Sequence, residues 1–172
     1  MRPLPTEATL NNILAEELLR EDQRFARWLL AQTRFAGEDA LCVQTRADNP
    51  WSRVKLQVWS EQDGSMTEIR RDAETDVLAI YRTSGNCRIA LHIENKLASS
   101  VFTLHQAKSY QARLTQWRNR PKLGMYIDAT SILSAPQRFF DRNQTESQLF
   151  ELFVSHEAVA QYLPSFAPCS AA

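Results

Sequence analysis

Two acidic side chains and a lysine stand at the ends of two short apolar segments. Asp76 precedes the first segment, and Glu94 and Lys96 follow the core of the second. Asp76 and Glu94 each lie nine residues from Gly85, so a turn centred on Gly85 would set their Cβ atoms about 5 Å apart across two strands. Lys96 would share their face, because strand side chains alternate with period two.

This arrangement has a definite chemistry. Two facing carboxylates repel one another, and neither ionises readily without a compensating cation. Mg²⁺ suits the role because it prefers oxygen ligands and retains water and phosphate oxygens. A water activated by the metal attacks phosphorus, and Lys96 steadies the hydroxide or the developing charge. The pattern therefore indicates metal-dependent phosphodiester cleavage, although Glu94-Asn95-Lys96 alone also fits a solvated strand end.

The two apolar segments that carry these residues predict a β-hairpin. They run from Val77 to Tyr81 and from Arg88 to Ile93, and the residues between them include Gly85 and Asn86, which tolerate positive φ in a tight turn. The segments are apolar on both faces, which is typical of strands in the buried centre of a sheet. Charges that end a buried strand indicate a site more often than a surface.

A second pattern follows the hairpin. The segment from Phe102 to Leu114 has the periodicity of an amphipathic helix, and Gln106 and Tyr110 lie four residues apart on one face of it. Thr103 and Gln106 also fit a capping box at the helix start, and Tyr110 also fits a core position. Both interpretations stay open.

With these residues the chain resembles the PD-(D/E)XK phosphodiesterase superfamily. The resemblance is to the branch with a Gln-x-x-x-Tyr helix and to small bacterial members of the superfamily. The matching residues are Asp76, Glu94, Lys96, Gln106 and Tyr110. The resemblance implies a restriction-endonuclease-like α/β core, in which helices flank a central mixed β-sheet in the order α-β-β-β-α-β. It extends from about Leu10 to Phe166, and we expect one domain over residues 1–172.

The resemblance also implies an activity and a set of ligands. It predicts a nuclease, with DNA favoured over RNA as the substrate. Mg²⁺ or Mn²⁺ would be held by Asp76, Glu94 and the backbone carbonyl of Asn95. The predicted catalytic residues are Asp76, Glu94, Lys96, Gln106 and Tyr110. The family often adds a glutamate from its first helix, and three residues compete for that role: Glu7, Glu16 and Glu17. The alternative function is an idle nuclease-fold module that binds nucleic acid or a protein partner. A homodimer or a larger assembly is compatible with both.

Composition sets further limits. The 172 residues are 44% hydrophobic and 23% charged, as in ordinary globular proteins, and their net charge of zero does not indicate a nucleic-acid partner. Locally, however, no Asp or Glu occurs between Asn95 and Ile127, a stretch that contains six cations. Lys108 and Arg113 are the predicted nucleic-acid contacts; a solvated helix face is the alternative.

Cysteines and hydropathy predict the compartment. Cys42, Cys87 and Cys169 are odd in number and widely spaced, which indicates neither a disulfide framework nor a zinc site. No apolar run resembles a signal peptide or a membrane span. These features predict a bacterial-type, reducing cytoplasm and no membrane partner.

In the first half of the chain, Thr9 is the predicted N-cap of one helix that continues to about Gln32. Residues 35–52 read as a loop. A first strand is expected from Val54 to about Trp59, where apolar residues alternate with polar ones, and residues 61–64 form a turn after it.

In the second half, the helix that contains Gln106 is expected to end near Arg118. Two apolar stretches compete for the next strand, Leu123–Ile127 and Ile132–Leu133, and the resemblance favours a strand around the second, from Thr130 to Ala135. A last strand is predicted at Phe150–Val154, and then a helix that Ser155 caps and that ends near Leu163. Residues 167–172 are expected to fray.

Overall fold

Seven strands form one mixed sheet and one separate ribbon. The computed structural model describes residues 5–167. The strands are β1 (Ala40–Arg46), β2 (Trp51–Ser60), β3 (Ser65–Glu74), β4 (Val77–Thr83), β5 (Arg88–Asn95), β6 (Asp128–Ala135) and β7 (Leu152–Ser155). The sheet has the order β1-β4-β5-β6-β7, and β2 pairs with β3 alone. Strand β4 is antiparallel to β1 and β5, whereas β5, β6 and β7 run parallel.

Helices cover both faces of the sheet. They are α1 (Glu7–Leu18), α2 (Arg24–Ala31), α3 (Gln106–Gln116), α4 (Gln137–Arg142), α5 (Gln144–Ser147) and α6 (His156–Val159), with short 3₁₀ turns at Pro121–Leu123 and Pro164–Phe166. Helices α1 and α2 share one apolar core with the sheet, and α3 shares another with the ribbon and the opposite face. The predicted α/β class, a mixed central sheet flanked by helices, is confirmed.

The predicted hairpin is present with the expected register. Val77 pairs with Ile93, and Arg82 pairs with Arg88, so the connection is centred on Gly85. Asn86 has a φ of 61° there, a left-handed conformation that asparagine tolerates better than most residues. Strands β4 and β5 are interior to the sheet, and most of their residues are buried, as predicted.

The segment 35–52 is not a continuous loop, and this prediction was wrong. It contains β1, which pairs with β4 at the edge of the sheet. Ala40 and Cys42 of β1 are buried, whereas Leu41 and Val43 are exposed. Apolar residues on both faces hide the alternation that identifies a half-buried strand.

The prediction of a single first helix was also wrong, since the helical conformation is interrupted between α1 and α2. Thr6, not Thr9, is the N-cap, and its hydroxyl accepts a hydrogen bond from the backbone N–H of Thr9 at 3.2 Å. Gln23 has a φ of 53°, and its buried side chain accepts a hydrogen bond from the backbone N–H of Cys42 at 2.9 Å. The break therefore depends on a contact with β1.

The strand predicted at Val54–Trp59 lies within β2, but it belongs to the ribbon and not to the sheet. Its partner β3 was not predicted, because of the ten β3 residues only Ala73 is buried. The predicted order α-β-β-β-α-β fits the sheet only when β1, and not β2, is taken as its first strand. Helix α2 and strand β7 are then additions to the predicted order. The inner side of β2 packs on Leu114 of α3 and on Trp117, which follows α3 as its C-cap.

The later elements follow the predictions more closely. Strand β6 occupies the second of the two competing segments, and β7 overlaps the predicted last strand. Ser155 caps α6 by accepting a hydrogen bond from the N–H of Ala158 at 3.1 Å, although α6 ends at Val159. Helices α4 and α5 were not predicted, and residues 168–172 lie outside the described range. Between residues 5 and 167, none of the helices combines the length and apolar character that a membrane crossing needs.

Candidate active site

The two acids stand where the hairpin opens. Asp76 immediately precedes β4, and its Oδ2 accepts a hydrogen bond of 2.8 Å from the backbone N–H of Asn95. The register of β4 and β5 sets Asp76 opposite Glu94. Asp76 is partly exposed, whereas Glu94 is 1% exposed. The pair thus joins a buried carboxylate to one that solvent reaches.

Three side chains converge on the buried carboxylate of Glu94. Lys96 Nζ lies 2.7 Å from its Oε1, and the Nε2 of Gln106 donates to the same oxygen at 2.6 Å. The hydroxyl of Tyr110 donates to Oε2. The five residues of the resemblance are therefore brought together at one strand end. The charge-assisted bonds explain how a buried carboxylate is tolerated there.

Gln106 serves both the helix start and the site. Its Oε1 accepts a hydrogen bond of 3.0 Å from the backbone N–H of Thr103, which is one of the two bonds of a capping box, although the N-cap of α3 is His105, without a side-chain cap. Its Nε2 binds Glu94. The two interpretations of this residue are therefore compatible. Tyr110 likewise has both roles. It is fully buried in the core, and its hydroxyl donates to Glu94.

Burial and repulsion perturb the first acid. Burial, and then the charge of Glu94, raise the pKa of Asp76 to about 7, against the opposing effects of the Asn95 N–H and of Lys96. Burial lowers the pKa of Lys96, but attraction to Glu94, Glu7 and Asp76 outweighs it, and the pKa lies above its ordinary value. Lys96 is therefore a stable cation that can hold negative charge, and is a poor proton acceptor.

Of the three competing glutamates, Glu7 lies near the site. It is in the first turn of α1, and its Oε1 accepts hydrogen bonds from the backbone N–H of Leu97, at 3.1 Å, and from the hydroxyl of Ser100. Glu16 is exposed, and Glu17 pairs with Arg20 at 3.6 Å. Glu7 thus holds the segment that follows Lys96.

The side chain of Asn95 lies within a buried polar network. Its Nδ2 donates to Asn11 Oδ1 at 3.0 Å, and its Oδ1 lies 2.8 Å from His156 Nε2. All three residues are buried, so the strand end is held from beneath by α1 and α6. Sequence reasoning missed Asn11 and His156; the available signal was a polar residue inside the apolar stripe of the first helix.

A cleft of about 260 Å³ opens over the acids. Its walls include Arg71, Asp72 and Glu74 from β3 and Arg113 from α3, together with both acids. The ribbon therefore forms one wall of the site, a contribution that the sequence did not reveal because β3 itself was missed.

The two predicted nucleic-acid contacts differ in position. Lys108 is exposed on α3, but Arg113 is only 1% exposed. The guanidinium carbon of Arg113 lies 3.7 Å from the ring centroid of Tyr110 and 5.3 Å from that of Trp117, and its Nε and Nη1 are buried without hydrogen-bond partners. Arg113 is therefore not on a solvated helix face. It can meet a ligand only within the cleft.

The donor set fits a hard divalent cation in part. Asp76 and Glu94 supply anionic oxygens. The pKa of Asp76 is raised first by burial and then by the charge of Glu94, and a bound cation would offset the second effect. Within residues 5–167, no three His, Cys, Asp or Glu side chains are grouped as a metal site would require. The protein would thus contribute two carboxylates and the Asn95 carbonyl, and water or substrate oxygens would complete the shell, as is common for Mg²⁺.

Comparison with known proteins returned no match: no family model, curated protein or solved structure matches this chain.

The raised pKa of Asp76 leads to a prediction about stability. The folded state binds the proton of the Asp76 carboxyl more tightly than the unfolded chain does. The contribution of this group to the free energy of unfolding is therefore complete below about pH 4 and is lost as the pH rises through about 7. In metal-free buffer, Asp76→Asn should therefore be more stable than the wild type at pH 8, by about 1 to 4 kcal/mol, and the difference should shrink towards pH 4. Urea unfolding at both pH values measures it, with Asp72→Asn as the control. An equal effect of both substitutions would contradict the assignment.

Proposed function

We propose that this chain is a metal-dependent nuclease that hydrolyses phosphodiester bonds, with DNA as the favoured substrate, on a restriction-endonuclease-like core in a reducing cytoplasm. The observation that carries the proposal is the convergence of Lys96, Gln106 and Tyr110 on Glu94, opposite Asp76. A buried carboxylate with this many donors at the floor of an open cleft is costly to maintain, and such groups are concentrated at functional sites.

Each residue has a distinct part in the proposed reaction. Asp76, Glu94 and the carbonyl of Asn95 would hold Mg²⁺ or Mn²⁺, which when bound supplies an activated water and charge neutralisation at the phosphate. Gln106 and Tyr110 fix the orientation of the Glu94 carboxylate. Lys96 stays protonated and presents its charge to the oxygens that become more negative as the bond breaks.

Arg113 supplies a second fixed positive charge in the cleft. Its ring contact with Tyr110 holds the guanidinium in place, and the residue lines the cleft, where a guanidinium suits the oxygens of a phosphate. A buried cation without hydrogen-bond partners is destabilising by itself. An anionic ligand that enters the cleft would offset that cost.

A second candidate function is the idle module, and one observation favours it. Both oxygens of Glu94 already accept hydrogen bonds or ion pairs from the protein. A metal would have to compete with Lys96 for Oε1 or to share Oε2 with Tyr110. If the protein contacts prevail, the fold binds nucleic acid without cutting it.

Incubation with DNA separates the two candidates. Supercoiled circular, linear duplex and single-stranded DNA are incubated with Mn²⁺, with Mg²⁺ and with EDTA. We expect metal-dependent cleavage that Asp76→Asn abolishes and that Asp72→Asn, a change in the same cleft, leaves near the wild-type rate. Nicking of the circular form would identify an endonuclease. Intact DNA under all conditions, with no Mn²⁺ bound in a parallel titration, would favour the idle module.

A further inference from the structure

The outer side of β2 carries a row of aromatic and polar side chains. Trp51, Arg53, Lys55, Gln57 and Trp59 alternate with the buried residues of the strand and are exposed. The two tryptophans are 61% and 60% exposed, which is unusual for side chains of that size unless they bind a partner. Successive members of the row are about 6.6 Å apart.

A cationic cleft follows the edge of β2 that does not pair with β3. It has a volume of about 410 Å³, and its lining combines four cations with Val54 and Gln116: Arg53, Lys55, Arg70 and Arg120. No acidic residue lines it. The acids that pair with this group, at 3.2 to 3.9 Å, lie on the β3 side of the ribbon. Such exposed pairs contribute little stability, so a phosphate can displace them.

Hydrogen bonds of Gln116 in α3 and of Arg120 hold the cleft in shape. They also oppose the pairing of a partner's β-strand with this edge. The side chain of Gln116 accepts a hydrogen bond from the backbone N–H of Lys55 at 2.8 Å and donates to its carbonyl at 2.9 Å. Arg120 donates to the hydroxyl of Ser52. These bonds occupy the strand edge at its centre, where another strand would have to pair, so the cleft suits an anion better than a β-strand of a partner.

The row is continuous with the candidate active site. Trp51 pairs with Glu74, which lines the catalytic cleft together with Asp76. The ten residues of β2 extend away from that point over about 30 Å. A nucleic-acid strand with one phosphate over Asp76 and Glu94 can therefore continue along the ribbon.

We propose that the β2 row and its edge cleft bind single-stranded nucleic acid. Phosphates lie against Arg53, Lys55, Arg70 and Arg120, and bases stack on Trp51 and Trp59, the combination that is typical of single-strand binding surfaces. This proposal rests on the proposed function for the choice of nucleic acid as ligand, but it does not require cleavage.

The test measures the anisotropy of a labelled oligothymidine of about 12 nucleotides in EDTA, so that cleavage cannot contribute. The double variant Arg53→Glu, Arg70→Glu should bind at least about 10-fold more weakly and lower the slope of log affinity against log salt by about 1.4, because each single-strand phosphate contact contributes about 0.7. Trp59→Ala should weaken binding by about 5- to 150-fold. The double variant Arg24→Glu, Arg27→Glu is the matched control, since both exposed arginines lie on α2, across the sheet from the ribbon.

The outcomes are distinct for each proposal. Equal affinity and salt slope in the ribbon double variant and in the α2 double variant would overturn the ribbon proposal. It would also be overturned if light scattering shows a dimer that the ribbon variants dissociate without a change in oligonucleotide affinity. Loss of binding in the ribbon variants, together with a wild-type protein that never cleaves DNA, would support the ribbon proposal and refute only the nuclease assignment.

Discussion

Lys96→Met is expected to reduce single-turnover cleavage of DNA by about 10²- to 10³-fold, because it removes a preorganised charge from the reacting phosphate. The side chain of Lys96 is only 9% exposed and lies 2.7 Å from Glu94, so methionine keeps most of the buried stem without the ammonium group. Affinity for DNA, measured with Ca²⁺ or without metal, should fall much less, since one phosphate contact contributes little to binding.

Lys108→Met is the matched control, because Lys108 is an exposed lysine of α3. Its effect on the cleavage rate should be less than about 10-fold, as for one lost phosphate contact. Circular dichroism checks that both variants fold. Near-normal cleavage by the Lys96 variant would remove this residue from the mechanism and give preference to the idle module.

Asp76→Ala and Glu94→Ala are each expected to weaken Mn²⁺ binding by more than the roughly 10- to 100-fold that changes outside the ligand shell cost. Each substitution removes one of two anionic ligands, and the described structure offers no third acid in a metal-binding group. Calorimetric titration measures the affinities, and Asp72→Ala, an exposed acid of the same cleft, should bind Mn²⁺ like the wild type.

The buried position of Glu94 requires a second variant. Glu94→Ala leaves the donors of Lys96, Gln106 and Tyr110 without their acceptor, and this change can reduce stability by several kcal/mol. Asp76→Ala avoids this difficulty, since Asp76 is partly exposed and its carboxylate accepts one protein hydrogen bond, from the backbone N–H of Asn95. An unchanged Mn²⁺ affinity in a folded Asp76→Ala protein would refute the metal site.

The hairpin that carries the acids was predictable because its determinants are local. The Gly85-Asn86 turn and the apolar runs on both sides specify the pairing, and the pairing sets Asp76 opposite Glu94. Helix periodicity likewise placed Gln106 and Tyr110 on one face. Both features depend on only a few neighbouring residues, so the sequence was sufficient to predict them.

Strands β1 and β3 were missed because their local patterns conflict with their tertiary roles. The exposed Leu41 and Val43 of β1 disguise its alternation, and β3 is polar because it is half of an exposed ribbon. The break before α2 depends on the bond between Gln23 and Cys42. Each of these features is decided by a partner distant in the chain, which periodicity cannot register.

The pair of acids, the lysine beside them and the helix that faces them follow from the sequence alone, because spacing within one hairpin and one helix is a local property. Their common surroundings are set by the tertiary fold. It places Glu7 near Lys96, moves Arg113 from a supposed helix surface to the interior between Tyr110 and Trp117, and sets the ribbon beside the acids. Burial and long-range charge depend on segments that meet only when the whole chain folds, and that is the physical reason for the division.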